Sequence, residues 1–293
     1  MAKADFGLVI TTRGLPASEL FEYNQRCIQA LSSGFSTLWI EDHFQSKEGA
    51  LLECLTTLSF LAAEFPNFQV GTLVVCQSYR NPALVAKMAA NLQFLSGGRL
   101  ILGLGAGWDE NEYNAYGYPF PTAKIRLEQL EEAILAIRSM WTSRPASFDG
   151  RYYQIRDAYC DPQPSPSIPL LIGGGGERRT LGLVARYANW WNVNFCTVEE
   201  YAHKEAILKE HCDRVGRDPA EIRLTYSTGT ISVAEDPDQV IRRPQKYAIA
   251  GNSIEVIQKL EQYCEIGVTH FMVKFPDITT LKHFIATVVP HFI

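Results

Sequence analysis

Short apolar segments alternate with longer amphipathic ones along the whole chain. The first four short segments are residues 6–10, 37–40, 70–75 and 100–104. Four more follow at residues 169–172, 190–193, 222–226 and 270–273. The spacing of the first four is roughly thirty residues, the length of one strand–helix–strand step. This alternation is typical of parallel strands joined by crossover helices rather than of hairpins, and it predicts eight β/α units.

The longer segments carry helix signals. In residues 124–141 the apolar positions recur at spacings of three and four, which predicts one buried helix face. These positions are Leu127, Leu130, Ile134, Ile137 and Trp141. The helix starts are marked by Asn81 before Pro82 and by the capping-box pairs Thr197 with Glu200 and Asn252 with Glu255. Gly267 marks a helix end before the last strand.

Three stretches interrupt the regular spacing of strands and helices. Residues 108–121 follow the fourth strand, residues 143–168 precede the fifth, and residues 232–251 follow the seventh. We interpret them as insertions rather than linkers. The chain has 293 residues and is 46% hydrophobic, enough to bury one large core. The sequence therefore predicts an α/β fold, a single (β/α)8 TIM barrel over residues 1–293, with insertions after strands 4 and 7 and before strand 5.

Composition excludes several classes of partner. The formal net charge of −5 provides no basic field for a nucleic acid or an anionic membrane. The seven cysteines are scattered without a Cys-x-x-Cys pair, which favours free thiols in a reducing compartment and gives no metal site. No signal-peptide hydrophobic region and no membrane-length apolar segment occur, so we expect a cytoplasmic protein.

The first candidate for chemistry is the cluster Glu41, Asp42 and His43, directly after the second predicted strand. Titratable residues at the carboxyl end of a parallel barrel strand face the site rather than the core. His43 is suited to act as an acid, a base or a hydrogen-bond donor near neutral pH. A solvated loop that begins with these residues is the alternative interpretation.

The second and third candidates are glycine-rich strand ends. Gly103, Gly105 and Gly107 close the fourth strand before Trp108, where they would let a flat ring or a backbone approach, or form a tight turn. Their spacing does not match the Gly-x-Gly-x-x-Gly dinucleotide fingerprint. The four glycines of residues 173–176 lie between the fifth strand and a helix start, where exposed amides suit a phosphate. A flexible turn is the alternative for this segment.

Taken in order, these residues resemble the bacterial-luciferase-like superfamily, and especially its 5-deazaflavin (coenzyme F420)-dependent oxidoreductases. The resemblance covers nearly the whole chain. It rests on Trp39-Ile-Glu-Asp42-His43, Val70-Gly71-Thr72-Leu73-Val74, Arg80-Asn81-Pro82-Ala83, Arg99-Leu-Ile-Leu-Gly-Leu-Gly-Ala-Gly-Trp108 with Tyr116-Gly117, and Ile172-Gly-Gly-Gly-Gly-Glu177 through Ala185-Arg-Tyr-Ala188.

The resemblance implies a barrel with an isoalloxazine-type ring across the carboxyl ends of its strands. It assigns ring contacts to Asp42, to a non-prolyl cis peptide between Leu73 and Val74, and to Gly105, Ala106 and Gly107. It assigns the phosphate to Gly175, Gly176, Glu177 and Arg178. The residues expected at the reacting centre are His43, Asp42 and Trp108.

The chain also departs from the sugar-phosphate dehydrogenases of this class, because Trp108 stands where they carry a glutamate. Together with Tyr113 and Tyr116, Trp108 suggests a more apolar or aromatic substrate, unless these rings only pack the inserted loop. The substrate itself is not identified by the sequence.

Three functions agree with these residues. The first is hydride transfer between F420 and a small organic substrate. The second is a luciferase-like monooxygenase that uses FMN, reduced by a partner flavin reductase, together with oxygen. The third is a flavin-binding protein without turnover. Members of this superfamily are often dimers, and the first helices are the expected interface of a homodimer.

Overall fold

A computed structural model describes residues 3–47, 49–242 and 244–293. Its strands are Asp5–Val9 (β1), Phe35–Ile40 (β2), Gln69–Thr72 (β3), Val75–Cys76 (β4), Leu100–Gly105 (β5), Ala146–Asp149 (β6), Gln154–Ala158 (β7), Leu170–Gly173 (β8), Trp190–Asn194 (β9), Arg223–Thr230 (β10), Ser232–Val233 (β11), Ala250–Gly251 (β12) and Val268–Lys274 (β13). Its helices are Ala17–Gln29 (α1), Cys54–Glu64 (α2), Pro82–Leu95 (α3), Glu110–Ala115 (α4), Ala123–Thr142 (α5), Thr180–Tyr187 (α6), Val198–Val215 (α7), Ser253–Ile266 (α8) and Ile278–Thr287 (α9).

The main sheet has the order β3-β2-β1-β13-β10-β9-β8-β5-β4, and a further pairing of β3 with β5 closes it. The eight predicted strands are all present, with the third divided into β3 and β4. The predicted parallel β/α barrel is therefore confirmed. The three predicted insertions contain α4, the antiparallel pair β6 and β7, and the short parallel pair β11 and β12.

The chain divides into two compact units. The first comprises Met1–Trp39, Ser46–Ala50 and Gly174–Ile293, and the second comprises Ile40–Gln45 and Leu51–Gly173. The single-domain organisation over residues 1–293 stays a prediction.

The core of the first unit is rich in aromatic rings. The Phe6 ring stacks on Phe271 with centroids 5.9 Å apart and meets Phe284 and Phe292 edge-on. Such offset and edge-on pairs stabilise a core beyond the area they bury. The helices of this unit begin and end as the sequence predicts: both capping boxes form, at Thr197 with Glu200 and at Asn252 with Glu255, and Gly267 ends α8 with a φ of 113°.

In the second unit, helix α2 packs against β3 and helix α3 packs against β5. The predicted face of α5 is buried at Leu130, Ile134 and Ile137. The Asn81 side chain caps α3 by accepting the Ala83 amide, and Pro82 occupies the first helical position. In the part of the chain that the structure describes, no helix is long and apolar enough to cross a membrane. All seven cysteines are free thiols, and six of them are buried.

A buried histidine joins three strands in the first unit. His270 on β13 is fully buried, and its Nδ1 lies 2.8 Å from Oδ1 of Asp5 on β1. The Trp39 indole on β2 donates to Nε2 of His270 at 3.1 Å. Because an indole N–H can only donate, Nε2 carries no proton and Nδ1 is the donor to Asp5. Burial lowers the pKa of His270, although Asp5 opposes this effect.

This histidine predicts acid sensitivity. Its pKa in the folded protein lies below the ordinary value, so the unfolded chain binds a proton that the folded protein excludes, and stability is lost as the pH falls through about 6.5. We expect the wild type to lose about 1 kcal/mol more unfolding free energy than His270→Gln between pH 7.5 and pH 5.5, because glutamine can keep both hydrogen bonds without titrating. Urea unfolding at the two pH values measures the difference. An equal loss in both proteins would contradict the assignment.

Candidate active site

The carboxylate of Asp42, two residues beyond the end of β2, is buried and fully paired. Its side chain is 0% exposed, and Arg80 donates to Oδ2 at 2.8 Å and to Oδ1 at 2.9 Å. The Cys76 amide on β4 also donates to Oδ2, at 2.9 Å. Arg80 pairs in addition with Glu53, the N-cap residue of α2. Bidentate pairs of this kind fix geometry as well as charge, so Asp42 anchors the end of β2.

His43, the next residue, is paired with a second buried carboxylate. Its Nδ1 lies 3.0 Å from Oε2 of Glu112, which is 2% exposed and lies in the short helix α4. The Tyr79 hydroxyl donates to the same oxygen at 2.9 Å. The other oxygen, Oε1, accepts the amides of Phe44 at 3.0 Å and Gln45 at 3.3 Å. Glu112 therefore holds both the ring of His43 and the backbone that follows it.

The protonation states in this cluster follow from its contacts. Burial alone would raise the pKa of Glu112, but the contacts with His43, Phe44 and Tyr79 together hold it below its usual value. Burial and the hydrogen bond to Glu112 raise the pKa of the Tyr79 hydroxyl. At neutral pH Glu112 is thus a carboxylate, and Tyr79 is a neutral phenol that donates to it.

Neither Glu112 nor Tyr79 was predicted from the sequence, and Arg80 belonged there to a family motif without an assigned role. Each lies far along the chain from its partner, so only the fold brings them together. One signal was present: Glu112 is a charged residue in an insertion that directly follows a barrel strand, where functional loops collect.

The Leu73–Val74 peptide is cis, as the family resemblance implies. It lies between β3 and β4, and the side chain of Val74 fills the space in front of three glycines. A Cβ added to Gly105 would lie 2.6 Å from Cγ2 of Val74, and one added to Gly103 or Gly173 would lie 3.0 Å from Cγ1. In the structure these glycines leave room for the Val74 side chain.

At Gly107 both the backbone conformation and the lack of space favour glycine. Its φ is +78°, and a Cβ there would lie 2.1 Å from the Tyr113 hydroxyl and 2.6 Å from Sγ of Cys76. Ala106, between Gly105 and Gly107, is partly buried. The segment from β5 to α4 thus forms a tight turn packed against Tyr113.

The three aromatic residues of the inserted segment differ in exposure. Trp108 is 73% exposed, and its ring centroid lies 6.0 Å from that of His43. Tyr113 is fully buried and shares a hydrogen bond of 3.0 Å with Cys76. Tyr116 is 52% exposed, and its hydroxyl donates to the Phe44 carbonyl. Tyr113 therefore packs the insertion, and Trp108 presents an indole to solvent beside His43.

The glycine turn of the first unit includes Gly174, Gly175 and Gly176. Gly174 has a φ of +120°, and a Cβ on Gly175 would lie 3.0 Å from Val193 and from Lys204. Lys204 of α7 donates to the Gly175 carbonyl at 3.0 Å and lies 3.2 Å from Glu177. This lysine was not predicted from the sequence.

The helix after the turn begins later than the sequence suggested. Helix α6 starts at Thr180, four residues beyond Gly176, and has no side-chain cap. Gly176 precedes the helix, with its Cβ position 2.7 Å from Oγ1 of Thr180. Arg178 and Arg179 lie exposed between the turn and the helix.

A cavity of about 690 Å³ lies beside this turn. Its wall includes Gly175, Val193, Phe195 and Lys204, and it also carries the carboxylates of Glu177, Glu199 and Glu200 with the imidazole of His203. The charged groups are of both signs, so the turn offers one lysine and several acids rather than a uniformly basic surface.

In the second unit, His43, Asp109 and Glu112 place possible metal-ligand atoms within 4.8 Å of one another. Each is already engaged: His43 and Glu112 bond to each other, and Asp109 caps α4 by accepting the Asn111 and Glu112 amides. The cluster is accounted for by hydrogen bonds.

The sequence matches the family described as luciferase-like monooxygenase over residues 5–270. A relative from Kineococcus radiotolerans named F420-dependent glucose-6-phosphate dehydrogenase is 32% identical over 231 residues, which cover 75% of this chain and 66% of the relative.

Solved structures share the fold at lower identity. An F420-dependent secondary alcohol dehydrogenase in complex with an F420-acetone adduct superposes with a TM-score of 0.86 at 20% identity, covering 99% of both chains. A monooxygenase from Streptomyces bottropensis superposes with a TM-score of 0.84 at 17% identity, covering 99% of this chain and 100% of the other.

The anchoring role of Asp42 predicts a stability effect. Asp42→Asn should lower the free energy of unfolding by about 3 kcal/mol, because it leaves the charge of Arg80, whose side chain is 10% exposed, without its bidentate partner. Glu210→Gln, which breaks the exposed pair with Arg214, is the matched control and should cost less than about 1 kcal/mol. Urea unfolding measures both, and equal losses would show that the Asp42 pair is not an anchor.

Proposed function

The chain belongs to the luciferase-like monooxygenase family, an oxidoreductase family, and we propose that it transfers hydride between coenzyme F420 and a small organic substrate. The names of its relatives support this cofactor, since both the Kineococcus radiotolerans protein and the solved secondary alcohol dehydrogenase are F420-dependent. The observation that carries the proposal is the His43–Glu112 pair, a proton-transfer group that a buried carboxylate fixes in place just beyond the end of β2.

The residues present fit a deazaflavin. Leu73, Val74 and Trp108 offer partly or fully exposed apolar surface of the kind that binds a flat ring, and they lie in the same unit as His43. The turn at Gly174–Gly176 with Lys204 provides open backbone and a cation, which suit a phosphate. When bound, F420 supplies a ring carbon that accepts or donates hydride.

The protein's own residues would orient the substrate and move a proton. His43 is the acid or base, Asp42 anchors its strand end, and Trp108 forms an apolar wall beside it. We propose that Glu177 and Arg178 contact the phosphate. We propose that Gly105, Ala106 and Gly107 contact the ring.

For the substrate we propose an alcohol or carbonyl compound with an apolar body. Trp108 supports this choice, since its 73% exposed indole faces solvent next to His43 at the position where sugar-phosphate dehydrogenases carry a glutamate. Sugar phosphate is correspondingly disfavoured, although the Kineococcus radiotolerans relative is named for glucose 6-phosphate.

The second candidate is an FMN-dependent monooxygenase that receives reduced flavin from a partner reductase. The structural likeness to a Streptomyces bottropensis monooxygenase favours it, because the same barrel supports oxygenation there. A flavin-binding protein without turnover is the third candidate. Turnover with F420 would exclude it.

Cofactor choice can be tested directly. The purified protein, titrated with F420 and with FMN by fluorescence, should bind F420 more tightly. Gly176→Asp should weaken F420 binding more than about tenfold, because it places a carboxylate where the phosphate is proposed to bind. Gly182→Ala is the matched control, since its added Cβ would make only an ordinary contact of 3.6 Å with His211.

Tighter binding of FMN than of F420 would overturn the cofactor and promote the monooxygenase. Unchanged affinity in a folded Gly176→Asp variant would place the phosphate elsewhere. Hydride transfer is then followed by the visible absorbance of oxidised F420, with propan-2-ol, glucose 6-phosphate and a set of aromatic alcohols as probes.

We also propose a homodimer through α2 and α3. Large apolar side chains on these helices are exposed: Phe60 by 45%, Leu84 by 52%, Phe94 by 66% and Leu95 by 79%. Exposed apolar surface of this kind favours association. Analytical ultracentrifugation should give a dimer for the wild type and a monomer for Phe94→Glu. A monomeric wild type at micromolar concentration would contradict the interface.

The cytoplasm stays the proposed location. Seven free thiols, six of them buried, suit a reducing compartment. The acidic composition continues to argue against a nucleic-acid partner.

A further inference from the structure

We propose that Glu112 is a positioning residue that holds His43 in the tautomer protonated at Nδ1, so that Nε2 exchanges the proton with the substrate. The proposal rests on the function above for its chemistry. Its central observation, the hydrogen bonding of a buried carboxylate to an imidazole, is independent of the cofactor.

Glu112 is buried among hydrogen-bond donors. The side chain is 3% exposed, and burying a carboxylate is costly unless hydrogen bonds replace its water. Four hydrogen-bond donors replace the water. The His43 imidazole and the Tyr79 hydroxyl donate to Oε2, and the Phe44 and Gln45 amides donate to Oε1. Both oxygens are thus fixed from two sides, and the carboxylate has no freedom to turn away from His43.

The hydrogen bond between His43 and Glu112 has a defined direction. The contacts of Glu112 hold its pKa below the ordinary value, so it is ionised and can only accept. The hydrogen on the 3.0 Å contact therefore belongs to Nδ1 of His43. In the neutral His43 ring, Nε2 then carries no hydrogen, and its lone pair is able to accept a proton.

The His43 ring lies close to Trp108 and Asp109. The His43 side chain is 12% exposed, with the Trp108 indole edge-on at 6.0 Å between centroids. Tyr79 donates to Glu112 rather than to His43, and the Asp109 carboxylate, which lies within 4.8 Å of the pair, already caps α4 through the Asn111 and Glu112 amides. Glu112 is thus the group that sets the tautomer.

The chemistry follows from these positions. In oxidation of an alcohol the carbinol C–H bond would break with loss of hydride to a bound cofactor, while the O–H bond would break and its proton would pass to Nε2 of His43, so that the C–O bond would become a carbonyl. The imidazolium formed at His43 is stabilised by the carboxylate of Glu112 through the Nδ1–H bond. In the reducing direction hydride and proton move the opposite way.

Glu112→Gln separates this role from simple packing. The Phe44 and Gln45 amides both need an acceptor, so the glutamine oxygen should stay with them and its NH2 group should face His43. An NH2 group can only donate, so Nδ1 becomes the acceptor and the proton moves to Nε2. Tyr79→Phe is the matched control, because it removes another partner of the same carboxylate oxygen and leaves the His43 contact in place.

The test is ¹⁵N NMR of the full chain labelled at histidine, with and without bound F420. His43→Gln identifies the His43 signals by their loss. We expect the Nδ1–H tautomer in the wild type and in Tyr79→Phe, and the Nε2–H tautomer in Glu112→Gln. Turnover of a probe alcohol accepted by the wild type should fall by roughly 10²-fold or more in Glu112→Gln, while F420 affinity changes by less than about threefold.

A wild type in the Nε2–H tautomer would overturn the proposal even if Glu112→Gln did not fold, and so would a folded Glu112→Gln variant with unchanged tautomer and turnover. Failure of the proposed function has a different signature: the wild type would show the Nδ1–H tautomer but would neither bind F420 nor turn over any probe alcohol.

Discussion

The arrangement of the candidate site depends on how two buried carboxylates are paired at the end of β2. Asp42 is clamped by the Arg80 guanidinium, and Glu112 is surrounded by four donors. A buried charge is tolerated only when partners compensate for lost water, so each carboxylate forces its neighbours into place. His43 directly follows Asp42 in the chain, and its ring is hydrogen-bonded to Glu112. Its position beyond the end of β2 is therefore fixed through both the backbone and the side chain.

Much of this fold could be predicted from the sequence, because local patterns encode its helices and strands. The eight apolar segments, the capping boxes and the stop at Gly267 each act over a few residues, and each is found in the structure. The third strand differs only in being divided at the Leu73–Val74 peptide. Local pattern could not show where α6 begins, because nothing in the sequence requires the helix to start directly after Gly176.

The candidate site was less predictable, since its important contacts are long-range. His43 was recognised from its place after a strand, but Glu112 lies 69 residues away and its role depends on burial. The glycines of β5 are similar, because only the structure shows that Gly103 and Gly105 face Val74. Tyr113, whose ring could have lined a substrate site, is instead part of the core, whereas Trp108 is an exposed aromatic group beside His43.

The charges around the glycine turn bear on how an anionic cofactor would be accepted. Lys204 is bonded to the Gly175 carbonyl and to Glu177, and His203 lies 3.5 Å from the same carboxylate. A phosphate at the turn would compete with Glu177 for Lys204, and Glu177 is 43% exposed, so it can turn toward water at little cost. An acidic residue at this turn is therefore compatible with the proposed phosphate site, because its contact with Lys204 is partly exposed to solvent.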